Sequence, residues 1–94
     1  MSPRPRRLPP AQLGVGWPDT PFEDPVGEVA RQFALNVRDA IGGRTIRDVA
    51  RETGVDRTVI SMLMNGKSWP DMVTIANLEL GLGRKLWPHP PTAE

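Results

Sequence analysis

The chain has 94 residues, with twelve Lys plus Arg against eleven Asp plus Glu, a net charge of +1 and no cysteine. That length holds one domain at most, and the missing cysteines exclude a disulfide framework, a thiolate zinc site and a Cys nucleophile together. No apolar run approaches the roughly 18 residues of a membrane span, and the basic start Met1–Arg7 is not followed by the apolar stretch of a signal peptide, so a cytoplasmic location is expected.

Residues 1–25 hold seven of the eleven prolines and seven apolar side chains, whereas residues 26–87 hold one proline, Pro70, and 28 apolar side chains. Proline at that density removes backbone donors and resists helix and sheet alike. Residues 1–23 therefore read as a proline- and arginine-rich arm, extended or flexible, in which Trp17 and Phe22 are the side chains able to dock on the body. A body at 24–87 and a short tail at 88–94 follow.

The body reads as helices with clear punctuation, giving an all-α fold, a compact four- to five-helix bundle. Asp24-Pro25 is an N-cap and first-turn pair. Val26, Ala30, Phe33, Val37 and Ile41 then recur at helical spacing until Gly42-Gly43. Thr45 caps a second helix lined by Ile46, Val49, Ala50 and Thr53 and ended by Gly54. Asp56 caps a third, with Ile60, Leu63 and Met64 inward and Asn65-Gly66 closing it. Pro70-Asp71 opens a fourth, with Met72, Ile75, Leu78 and Leu82 inward and a stop near Gly81–Gly83; Leu86 and Trp87 are expected to lie back on the bundle.

The second and third helices are short and joined by about three residues containing Gly, the signature of a helix-turn-helix. Gly54 supplies the residue tolerant of positive φ. Ala50, four residues earlier, lets the two helices approach, and Val55, Ile60 and Leu63 lock them together. With these constraints met at fixed offsets, the stretch Thr45–Gly66 resembles the Cro/lambda-repressor (Xre-like) helix-turn-helix family. The resemblance continues through Gly66-Lys67-Ser68-Trp69-Pro70, Ile75-Ala76 and Leu82-Gly83, covering roughly 27–87. It departs at Ile46, where the family often has a Gln that touches the DNA backbone, and after residue 84, where a full fifth helix does not fit. The resemblance implies a prokaryotic or phage transcriptional regulator, a repressor in its simplest form, that binds double-stranded DNA without a cofactor.

On the third helix, inward Ile60 and Leu63 leave Arg57, Thr58, Ser61, Met62 and Asn65 facing out. A stripe of that width fits a major groove about 12 Å across. Arg57 suits a guanine edge, Thr58 and Ser61 can donate or accept, and Met62 can cover a thymine methyl. Phosphate contacts are expected from Thr45 and the helix N-terminus it caps, and from Arg47 and Arg51 on the second helix. The family-like geometry adds Asn65, Lys67 and Ser68. In the arm, Arg4, Arg6 and Arg7 could enter an adjacent minor groove; fully extended, residues 1–23 reach about 75–80 Å.

Enzyme chemistry has little support. The one His, His89, lies in the tail, and Gly14-Val15-Gly16 lacks the strand and Lys of a phosphate loop. A second reading is an antitoxin-like or adaptor module whose exposed face, carrying Met62 or Leu35, meets another protein. A weak homodimer is expected through the surface around the fourth helix and Leu86, because one reading helix spans too few base pairs for specificity.

Overall fold

A computed structural model describes residues 8–88. The Asp24-Pro25 pair starts α1 (Pro25–Ile41), where the Asp24 carboxylate accepts the Gly27 N–H at 2.8 Å. Three shorter helices follow: α2 (Ile46–Thr53), α3 (Arg57–Met64) and α4 (Met72–Leu82). Each opens on a side-chain cap, Thr45 to Asp48 N–H, Asp56 to Thr58 N–H and Asp71 to Thr74 N–H. Such caps satisfy N–H groups that have no partner inside the helix. No strand occurs among the described residues.

The core is one cluster. Phe33, Val37, Ala40 and Ile41 of α1 meet Val49 of α2, Val55 of the turn, Ile60 and Leu63 of α3, and Leu78 of α4. Ile46, Ala50, Met64, Ile75 and Leu82 pack around it, half-buried. Leu86 completes it from the C-terminal side at 1% exposure. Its backbone is held at both ends: Asn36 Nδ2 donates to Leu86 O at 2.8 Å, and Glu79 accepts the N–H groups of Leu86 and Trp87. Those two N–H groups hold the Glu79 carboxyl below the usual glutamate value. The Trp87 ring lies against Phe33, centroids 5.4 Å apart.

Two residues expected inward are outward. Val26 is 59% exposed although it continues the stripe of Ala30, Phe33 and Val37. In the first turn of α1 the buried position is Gly27, covered by Leu13 and Phe22, and Val26 is turned about 100° from it. Met72 is 84% exposed. Six residues before Leu78, it is rotated about 120° from that buried position, off the stripe that Ile75 and Leu82 share.

Residues 8–23 depart furthest from the composition-based reading: they are seated on the bundle. Pro10–Leu13 forms a 3-10 turn, with Pro10 fully buried. Phe22 is 7% exposed and closes on Gly14 and Gly27, where an added Cβ would lie 2.6–2.9 Å from the Phe22 ring or Leu13. The polar anchor is Arg31, buried at 8%. Its guanidinium bonds Glu28 through two nitrogens, at 2.8 and 2.7 Å, and donates to Pro18 O at 2.9 Å. Glu28 also accepts the Phe22 N–H at 2.7 Å. The Arg31 bonds foremost hold the Glu28 carboxyl down at about 2, from an ordinary 4.5. Proline does lower the density of backbone bonds here, but two aromatic rings and an ion pair fix the segment instead.

Candidate nucleic-acid interface

The turn between α2 and α3 is built from its own residues. Gly54 sits in the left-handed region at φ 76 and returns its N–H to Ala50 O at 2.9 Å. Thr53, buried at the elbow, donates its hydroxyl to Val49 O at 2.7 Å and accepts the Val55 N–H at 3.2 Å. Val55 then drops into the core, and Asp56 starts α3. With Ile60 and Leu63 pinned inward, Arg57, Thr58, Ser61 and Met62 all stand exposed on α3. Val59, which the sequence reading passed over, flanks them at 38% exposure, equal to Met62. Its β-branched apolar side chain is a surface suited to a base methyl.

Of the residues expected on phosphate, Thr45, Arg47, Asn65 and Lys67 are exposed and Ser68 is half-buried. Thr45 is exposed, and its oxygen accepts the Asp48 N–H at 3.0 Å, which leaves the hydroxyl proton free to donate. Arg47 is exposed one residue into α2. Asn65 is exposed; one of its two amide hydrogens goes to Ser61 O at 2.9 Å, and the Nδ2 lies 3.5 Å from Ser61 Oγ. Lys67 is exposed and Ser68 half-buried in the α3–α4 loop. Arg4, Arg6 and Arg7 lie outside the described residues.

The distribution of ion pairs sharpens this picture. Arg31, Arg38, Arg44, Arg51 and Arg84 each pair with a carboxylate: Glu28, Asp19, Glu52, Asp48 and Asp39. Both carboxylates of α2, Asp48 and Glu52, are thereby engaged by arginines. Among the described residues, Arg47, Arg57, Lys67 and Lys85 have no carboxylate within 4 Å. Three of these four belong to the α2–α3 unit or the loop that leaves it. Exposed ion pairs contribute little to stability, but they decide which positive charges remain open to an outside anion.

The exit of α3 is where sequence reasoning missed most. Lys67 N–H bonds Met62 O at 2.9 Å and Gly66 N–H bonds Leu63 O at 3.2 Å, around Gly66 at φ 67. This is a Schellman ending. The next carbonyl, Met64 O, accepts from Trp17 Nε1 at 3.0 Å, across 47 residues. Gly66 O accepts the Ala11 N–H at 2.9 Å, and Trp69 Nε1 donates to Leu8 O at 2.8 Å. A docked Trp17 was legible as an apolar island between prolines; its target was not.

Among the described residues no group of three or more His, Cys, Asp or Glu is placed to hold a metal ion, and no helix is long and apolar enough to cross a membrane. Nothing in the curated proteins or the solved structures matches the chain. A family model described as helix-turn-helix matches residues 37–86, from the middle of α1 through α4 to Leu86. That match covers more than half of the chain, including α2, the turn, α3 and the loop that leaves it, so the protein belongs to the Cro/C1-type (Xre-like) helix-turn-helix family, DNA-binding regulators of transcription.

Proposed function

We propose that this protein is a sequence-specific regulator, acting as a repressor by occupancy, that reads the major groove of double-stranded DNA with α3. Arg57, Thr58, Ser61 and Met62 face base edges. Thr45, Arg47, Lys67 and Ser68 face the phosphates on either side, and Asn65 offers the amide hydrogen that its bond to Ser61 O leaves over. Arg4, Arg6 and Arg7 extend the contact into an adjacent minor groove. The observation that carries the reading is the distribution of unpaired cations: Arg47, Arg57 and Lys67 are left open on one structural unit while five other arginines are neutralised.

Specificity at this size requires two half-sites, and the reading includes a weak homodimer formed on DNA. Leu86 takes no part in its surface, because it is a core residue at 1% exposure. Met72, Val73 and Leu80, exposed at 84%, 69% and 81%, give α4 the apolar outer face such a contact needs.

The test is selection of a preferred duplex from random DNA, followed by titration of that duplex and of random DNA with two variants. Arg57→Ala is expected to weaken the preferred site by about 1–3 kcal/mol and random DNA much less. Lys67→Ala is expected to weaken both alike and to lower the salt slope by about one. Equal loss on both duplexes for Arg57→Ala makes Arg57 a phosphate anchor. Folded variants that both bind like the wild type sink the DNA reading, and the adaptor reading replaces it.

A further inference from the structure

The three long-range hydrogen bonds at the end of α3 converge on a short span. Gly66 is pinned through its carbonyl by Ala11, and its α-carbon faces the Ala11 methyl and the Trp17 ring, where an added Cβ would lie 2.7 Å from both. Trp69 is pinned to Leu8. Between those two fixed points stand only Lys67 and Ser68, two of the residues assigned to the DNA backbone. At its other end the same N-terminal segment is tied to α1, through Arg31 to Pro18 O and Phe22 N–H to Glu28. Trp17 is not part of the core cluster; it is half-buried, with its ring 5.9 Å from Phe22.

We propose that residues 8–24 are a brace running from α1 to the exit of α3, and that Trp17 is a positioning residue which sets Lys67 and Ser68 against the phosphate backbone. The proposal rests on the DNA-binding reading above. Glycine has wide conformational freedom, so a loop that begins on Gly66 has no fixed direction of its own. Two devices supply one. The Schellman bonds fix the N–H groups of Gly66 and Lys67. The brace occupies Met64 O, Gly66 O and the open side of Gly66. Without the brace, Lys67 would keep its charge but lose its address, and a preorganised contact would become one that must be ordered at the moment of binding.

The experiment uses the full chain. Trp17→Phe keeps an aromatic ring and removes the donor to Met64 O; Ala11→Pro removes the donor to Gly66 O. Each is expected to weaken binding three- to tenfold on preferred and random duplex alike, with the protein still folded at the assay temperature. A double-variant cycle gives the readout that a stability role alone would not move. Trp17→Phe should add almost nothing in a Lys67→Ala background, yet multiply its effect fully with Arg57→Ala. In the protein without DNA, amide exchange at Gly66 and Lys67 should accelerate in Trp17→Phe while exchange at Val49 and Ile60 stays slow. Unchanged binding by both folded variants, or full multiplication with Lys67→Ala, overturns the brace. A wild-type protein that binds no duplex overturns the DNA reading instead, and the exchange rates at Gly66 and Lys67 then decide whether the brace exists as a mechanical element.

Discussion

The two ends of α3 are finished by different means. At the N-terminal end everything is local: Asp56 accepts the Thr58 N–H two residues away at 2.7 Å, and Arg57 projects from the first turn with no carboxylate within 4 Å. At the C-terminal end the helix borrows Trp17, Ala11 and Leu8 from another part of the chain. The difference matches what each end is asked to do in the proposed complex. A side chain that reads base edges benefits from rotamer freedom until it meets its base, whereas a backbone contact sets the register of the whole domain and benefits from being fixed beforehand.

The largest effect that separates the two ends comes from a pair of glycines. Gly66→Ala puts a methyl 2.7 Å from Ala11 and the Trp17 ring at a position with φ 67. Left-handed strain and forced contact together are expected to cost about 2–4 kcal/mol. Gly54→Ala carries the same kind of strain at φ 76, with nothing within 4 Å of the new methyl, and is expected to cost only about 1–2 kcal/mol. Urea titrations of both variants measure the gap; equal losses would mean that the N-terminal segment yields freely at Gly66.

Next comes the far anchor of the brace. Glu28→Gln gives up charge-assisted bonds to Arg31 and should lose about 2 kcal/mol at neutral pH. The Glu28 carboxyl is held at about 2, below its ordinary 4.5, so its contribution is complete above about 4.5 and disappears as pH falls through about 2. The stability of the wild type should therefore drop toward that of Glu28→Gln across this window. Parallel pH profiles for the two proteins would show that the ion pair does not hold the brace.

Asp56→Ala tests the local end and should cost about 1 kcal/mol, the ordinary value of an N-cap. It should leave amide exchange at Gly66 and Lys67 unchanged, since those sites are secured from the other side. Deleting residues 2–7 is expected to leave the melting temperature where it is and to lower the salt slope by about 0.9 for each phosphate contact removed. An unchanged slope would take Arg4, Arg6 and Arg7 out of the complex.

What could be read from the sequence follows the same division. Thr45, Asp56 and Asp71 were recognisable as caps because capping acts over two or three residues. Gly54 and Ala50 marked the turn at a fixed offset, and Ile60 with Leu63 fixed the outer face of α3 by periodicity alone. Val26 misled because periodicity does not report which side of the first turn a distant segment covers, here Gly27 under Leu13 and Phe22. Arg31 was invisible as a buried residue because its burial depends on Glu28 beside it and on Pro18 folding back thirteen residues away. The brace was hidden by composition: prolines argue against regular structure, yet a 3-10 turn, two rings and a few hydrogen bonds order a segment just as well.

The bond from Trp69 to Leu8 O also joins two points 61 residues apart in the chain. Leu8 therefore lies beside the loop that carries Lys67 and Ser68, so the N-terminal segment and the α3–α4 loop share one edge of the molecule.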